Sequence, residues 1–136
     1  MQHPPSERLR EHPEPRFAAP QHAFDLEALA AQLRQEPQAG EEGHRQETLY
    51  KHGLTTVAFF VFGHLTRLPP HRTLGVVMMH VLKGYLQITA EGQVHDLHAG
   101  NLLLLASGVE HSLVAYEESH MLLTVNLHPC PASPSP

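Results

Sequence analysis

One stretch decides the fold of this chain: Gly100-Asn101-Leu102-Leu103-Leu104-Leu105-Ala106-Ser107-Gly108-Val109-Glu110-His111. A glycine opens it, a short apolar strand follows, a second tight turn falls at Ser107-Gly108, and a histidine comes three residues later. Glycine adopts backbone angles that are unfavourable for residues with a Cβ, so the two glycines fix the turns. The second turn then sets the position of His111 at the start of the next strand. The stretch therefore predicts a small β-barrel with a histidine at its mouth.

Further strands are predicted on both sides of this stretch. They are short runs rich in β-branched and apolar residues, at 49–51, 55–62, 76–82, 85–89, 94–97, 112–115 and 121–125. Turn signals separate them at intervals of about eight to twelve residues, which is typical of an antiparallel sandwich or barrel and not of βαβ units. The pattern predicts an all-β domain over residues 46–128.

One helix is predicted before the barrel, within a helix-and-linker segment at 23–45. Asp25 is a good N-cap, and Leu26, Leu29, Ala30 and Leu33 follow the spacing of one apolar stripe. We expect this stripe to pack on the barrel. Nine of the twelve prolines lie in residues 1–22 (five) and 129–136 (four), and both segments are predicted to be disordered tails.

Two predicted strands, 55–62 and 76–82, are apolar on both alternating faces. A strand of this kind is covered on both faces. The barrel core covers the inner face, and one short helix is too small to cover the whole outer face. The sequence therefore predicts a homodimer.

Composition excludes several classes of partner. The formal net charge is −5, which argues against binding to nucleic acid or to an anionic membrane. No apolar run approaches the roughly 18 residues of a membrane span, and the start lacks the basic-then-apolar order of a signal peptide. Cys130 is the one cysteine, so no internal disulfide is possible. A cytoplasmic location is expected.

The spacing from Gly100 to His111 resembles the second motif of the cupin superfamily, which is glycine, five residues, proline, any residue, glycine, two residues and histidine. Ala106 stands in the place of the proline. The resemblance covers roughly residues 50 to 126. It implies a small single-domain (cupin type 2) protein whose fold is a double-stranded β-helix, also called a jelly-roll barrel.

The resemblance also implies a metal site that is incomplete. The first cupin motif ends in a glutamate seven residues before a turn glycine, here Gly84, and this position holds Val77. Of the two upstream histidine positions, one holds His71 and the other Thr73. Metal-binding cupins use three histidines and one glutamate for Fe, Mn, Ni or Zn. His71 and His111 alone match that set.

Other histidines offer a third ligand only under special conditions. Residues on one face of a strand are spaced by two, so His80 is expected to point away from the interior that Val77 faces. His64 and His120 could supply the third metal ligand only if the neighbouring loops place them at the barrel interior.

Two functions follow from these residues, and the sequence leaves both open. A pocket is predicted from apolar and polar residues together: His71, Thr73, Val77, Met79, His111 and Leu113. The first hypothesis is a cupin that binds an unassigned small molecule, with little or no catalysis and no certain cofactor. The alternative is a metal-dependent dioxygenase or isomerase that uses His71, His111 and a non-standard ligand. A third hypothesis is a protein-interaction role for the helix or for the acidic N-terminal segment, since residues 1–47 hold nine Asp or Glu against five Arg.

Overall fold

The computed structural model describes residues 19–36 and 43–128. The predicted disordered tails fall almost wholly at 1–18 and 129–136, outside the described residues, and so does part of the predicted linker. No helix in the described ranges is long and apolar enough to cross a membrane.

The described residues form one helix and nine strands. The helix, α1, spans Leu26–Arg34. The strands are β1 His44–His52, β2 Thr55–Phe62, β3 Thr66–His71, β4 Gly75–Lys83, β5 Tyr85–Ala90, β6 Gln93–His98, β7 Leu102–Leu105, β8 His111–Ala115 and β9 Ser119–Leu127. They build two antiparallel sheets, in the orders β1-β2-β9-β4-β7 and β3-β8-β5-β6. The predicted all-β jelly-roll barrel with one N-terminal helix is confirmed.

The core lies between the two sheets. Every second residue of β4, β5 and β8 faces inward, as the period of two in a strand requires. Val81, Leu86, Ile88 and Ala115 are completely buried there, together with Phe62 of β2. This alternation fixes the register, because a slip of one residue would turn each apolar set toward water.

Helix α1 covers the outer face of β1 and β2. The Asp25 carboxylate caps it by accepting a hydrogen bond from the Ala28 backbone N–H at 3.1 Å. Leu33 is fully buried and belongs to a second apolar cluster with Phe59 and Val61 of β2. The expectation that the helical stripe packs on the barrel is confirmed.

The outer face of β4 and β7 lies beyond the helix. Met78 pairs with Leu104 there, and His80 pairs with Leu102. Leu104 is 58% exposed and Leu102 is 52% exposed, with Val76 beside them at 40%. These five residues are called the β4–β7 face below. The prediction that a strand apolar on both faces is covered on both faces therefore holds for β2, which lies between the core and the helix. The β4–β7 face, in contrast, is open to solvent in the single chain.

Strand β3 is not among the strands that the sequence patterns predicted, and it contains Pro69 and Pro70. The strand continues through both prolines and lies at the edge of its sheet, beside β8. Proline has no N–H to give to a neighbouring strand, and an edge position tolerates this loss. The pairing shifts between Leu68 and His71, which marks an irregularity at the proline pair.

Candidate functional site

The irregularity in β3 places His71 on the inner face of the barrel. Leu68 lies opposite Leu113 of β8. Three residues further along β3, His71 lies opposite His111, which is only two residues from Leu113. Side chains alternate between faces, so without the extra residue at Pro69-Pro70 His71 would lie on the outer face. The proline pair therefore brings the two histidines together.

The two imidazole rings touch, and the main chain fixes their tautomers. Their ring centroids are 4.3 Å apart at an interplanar angle of 61°. Nδ1 of His71 lies 3.3 Å from the Pro69 carbonyl oxygen, and Nδ1 of His111 lies 3.0 Å from the Val109 carbonyl oxygen. A carbonyl oxygen only accepts, so both Nδ1 atoms carry the proton. In the neutral rings, Nε2 then carries the lone pair, which is the usual arrangement of histidines that bind a ligand or a metal.

A cavity of about 70 Å³ lies beside this pair, and all six predicted pocket residues line it. Val77 and Met79 of β4 and Leu113 of β8 form apolar walls, and each is at most 3% exposed. Sequence reasoning did not name the remaining lining residues, which are Phe60, Leu68, Met121, Leu123 and Val125. The spacing of two from Met121 to Val125 was the signal that identifies the β9 wall.

The size of the cavity limits what it can hold. A cavity needs roughly 10–15 Å³ to hold one water molecule, so a cavity of about 70 Å³ has room for several. Drug-sized ligands need pockets of roughly 300 Å³ or more. The cavity in this conformation therefore suits a ligand of a few heavy atoms.

Arg72 joins the two loops at the mouth of the cavity. Its guanidinium donates to the Gly108 carbonyl oxygen at 2.9 Å and lies 4.0 Å from the Glu110 carboxylate. The Gly108 backbone N–H in turn donates to the Thr73 carbonyl oxygen at 2.9 Å. The loop after His71 is thereby tied to the loop before His111, which sets the spacing of the histidine pair.

His111 is buried, at 3% exposed, whereas His71 is exposed. Burial lowers the pKa of His111, the hydrogen bond to the Val109 carbonyl opposes this effect, and the neighbouring His71 lowers the pKa further. The buried ring is therefore neutral at pH 7 and accepts hydrogen bonds through Nε2.

We expect stability to fall as the pH drops below about 6.5, the ordinary histidine pKa. Below that pH, the unfolded chain binds a proton at His111 that the folded chain binds only at a lower pH. The free energy of unfolding therefore decreases as the pH falls from about 6.5 toward the lowered pKa of folded His111. For one histidine, the decrease is at most about 1.4 kcal/mol per pH unit. Burial also lowers the pKa of His120, which adds to the same slope.

Urea unfolding at pH 7.5 and 5.5 measures the loss. The His111→Asn variant should lose less than wild type, and His64→Asn, at an exposed position, should match wild type. An unchanged loss in His111→Asn would contradict the assignment.

The other histidines considered as ligands lie away from the cavity. His80 is on the β4–β7 face, as the alternation predicted, and His64 is exposed in the turn before β3. His120 is buried against Phe59, under the helix. Within residues 19–36 and 43–128, no group of three or more His, Cys, Asp or Glu side chains is placed to hold a metal ion. The pair therefore offers two ligand positions, which is fewer than a complete metal site requires.

Solved structures define the class of this fold. A cupin superfamily protein from Desulfitobacterium hafniense aligns with a TM-score of 0.65 at 16% identity, over 83% of this chain and 96% of its own. A conserved protein of unknown function from Streptococcus pyogenes aligns with a TM-score of 0.61 at 22% identity, over 68% and 82%. Salicylate 1,2-dioxygenase from Pseudoaminobacter salicylatoxidans aligns with a TM-score of 0.60 at 16% identity, over 74% of this chain but 31% of its own. Identities this low show the fold alone, which is that of a small cupin.

The family follows from the sequence itself. The profile of the AraC-like ligand binding domain matches residues 58–131, just over half of the chain, and the chain belongs to that family. No functionally curated protein shows significant similarity to it.

Proposed function

We propose that this protein binds a small molecule in the barrel cavity, held by Nε2 of His71 and of His111. The paired rings, with both Nδ1 atoms bound to backbone carbonyls, carry this proposal. Two neighbouring acceptors, with Thr73 beside them in a cavity whose other lining residues are apolar, match the usual form of a ligand site, in which a few polar groups orient the bound molecule.

The chemistry of the pair selects ligands that donate hydrogen bonds. A neutral imidazole with a protonated Nδ1 accepts at Nε2, so hydroxyl groups suit the site. A carboxylate offers acceptors only and would meet a lone pair. The volume of about 70 Å³ restricts the ligand to the size of a short alcohol or diol.

Methyl NMR spectra at pH 7.5 test this proposal, with 1,2-propanediol as the donor probe and acetate as the acceptor probe. We expect the diol to shift the methyl signals of Met79 and Leu113, and acetate to leave them unchanged. His71→Ala and His111→Ala should each weaken diol binding by about tenfold, the effect of losing one good hydrogen bond. His64→Ala is the matched control. Equal shifts from both probes, or diol shifts that survive both substitutions, would refute the proposal.

The metal-dependent enzyme is the competing proposal. It requires Fe, Mn, Ni or Zn on His71 and His111 with further ligands, and the described residues offer none that complete the set. Elemental analysis of untagged protein separates the two, because near-stoichiometric metal that is lost in both histidine variants would favour the enzyme.

We also propose that two copies associate through the β4–β7 face. Its residues are Val76, Met78, His80, Leu102 and Leu104, and none carries a formal charge at pH 7 when histidine is neutral. The chain as a whole carries −5, so this face is one where two copies can meet without like-charge repulsion. A cytoplasmic location, expected from the sequence, stays a prediction.

A further inference from the structure

A second cleft, of about 540 Å³, lies between helix α1 and the barrel. Its apolar walls come from Leu26 of the helix, Phe59 of β2 and Leu82 of β4. At one end it is lined by three nitrogen-bearing side chains, Arg34, Lys83 and His120. The cleft is therefore apolar along its length and basic at one end, and it is larger than the barrel cavity.

The basic end already holds a carboxylate from the chain itself. Oε2 of Glu118 lies 3.0 Å from Nη1 of Arg34, 3.6 Å from Nζ of Lys83 and 3.3 Å from Nε2 of His120. These contacts outweigh the burial that pushes the pKa of Glu118 upward, so the pKa of its carboxyl is lowered. Three groups from three elements thus converge on one carboxylate oxygen, which is the arrangement that recognises a carboxylate.

Arg34 and Lys83 keep donors for a second acceptor. A guanidinium has five N–H donors and an ammonium has three, and the contacts with Glu118 use one nitrogen of each. Glu118 stands outside the residues that line the cleft, whereas its three partners line it. Its side chain is 42% exposed, on the short turn before β9, so it can give up its place without breaking a strand.

We propose that this cleft is a second ligand site, which takes a carboxylate that carries a short unbranched apolar chain. The carboxylate binds at Arg34 and Lys83, beside Glu118 or in its place. The chain lies along the helix toward Leu26, which is eight residues from Arg34, or roughly 12 Å at 1.5 Å per residue. Glu27 lines the far end of the cleft, so a second carboxylate on the ligand would be repelled there.

Octanoate is the probe, and 1-octanol is its uncharged match. In methyl NMR titrations of the full chain at pH 7.5, we expect octanoate to shift the methyl signals of Leu26 and Leu82. Octanol should bind at least about tenfold more weakly, since it lacks the charge-assisted hydrogen bonds. Suberate, the eight-carbon diacid, should also bind more weakly than octanoate because of Glu27.

Three variants separate this site from a general attraction of anions. Lys83→Gln removes one cation but leaves the contact between Arg34 and Glu118, and it should weaken octanoate by about tenfold. Glu118→Gln removes the competing charge and should strengthen octanoate severalfold. Lys51→Gln, at an exposed position on β1, should have no effect. Dispersed methyl spectra establish that each variant is folded.

Several results would overturn the proposal. Equal binding of octanoate and octanol would remove the role of the basic end, and so would an unchanged affinity in Lys83→Gln. Octanoate shifts at Met79 and Leu113, in place of Leu26 and Leu82, would move the ligand to the barrel cavity and refute the second site. The proposal for His71 and His111 does not depend on these outcomes, because its probes and variants are different.

Discussion

The Gly84→Ala variant is expected to lose at least about 4 kcal/mol of unfolding free energy, a large part of the total for a domain of this size. Gly84 has φ of +90°, where a residue with a Cβ is strained by about 1–2 kcal/mol. A Cβ there would also lie 2.3 Å from Oγ of Ser119 and 2.4 Å from the Glu118 carbonyl oxygen. One of these atoms is backbone, so the turn before β9 must move to make room.

The matched control is Gly92→Ala. Gly92 has nearly the same φ, +84°, but a Cβ there would have nothing within 4 Å. It should therefore lose only the strain of about 1–2 kcal/mol. Urea unfolding of both variants measures the difference, which isolates the close approach from the backbone angle. If the two variants lose equal stability, the close approach at Gly84 contributes nothing.

The Leu104→Glu variant is expected to be a monomer in solution, and the wild-type protein is expected to have twice the 15.1 kDa mass of one chain. Leu104 is 58% exposed on the edge strand β7, opposite Met78, near the middle of the β4–β7 face. A carboxylate there would appear on both copies at their contact, uncompensated and partly desolvated. Light scattering at tens of micromolar gives the masses.

Val94→Glu is the matched control for this experiment. Val94 is 53% exposed on β6, in the other sheet. Val94→Glu therefore adds the same charge and removes a similarly exposed apolar side chain as Leu104→Glu does. It should leave the dimer intact. A wild-type protein that is already a monomer at tens of micromolar would refute the association, and dissociation of both variants would place the contact elsewhere.

Much of the fold follows from local patterns. The strand period, the turn glycines and the Asp25 cap each act within a few residues, and such signals can be read directly from a sequence. Strand β3 could not be predicted in this way, because the position of a proline-containing strand at a sheet edge depends on its partner β8.

The candidate site was less accessible to sequence reasoning. The six pocket residues follow from strand alternation and the cupin resemblance, but that His71 faces inward depends on a bulge that only the pairing reveals. The size of the cavity depends on how side chains pack across strands, which no single-strand pattern contains. The contacts of Glu118 with Arg34 and Lys83 were also missed, because they join residues that are distant in sequence. Arg34 and Glu118 are 84 residues apart in sequence.

The hydrogen bonds from His71 and His111 to the carbonyls two residues before them have an evolutionary consequence. Because each ring is oriented by the backbone carbonyl two residues before it, the apolar walls can be exchanged without disturbing the imidazole tautomers. Relatives of this chain could then acquire new ligands by substitutions at positions such as Leu68 and Leu113 while the polar pair stays constant. On the proposed function, separating the orientation of the polar pair from the choice of ligand in this way would let one barrel accept different small molecules.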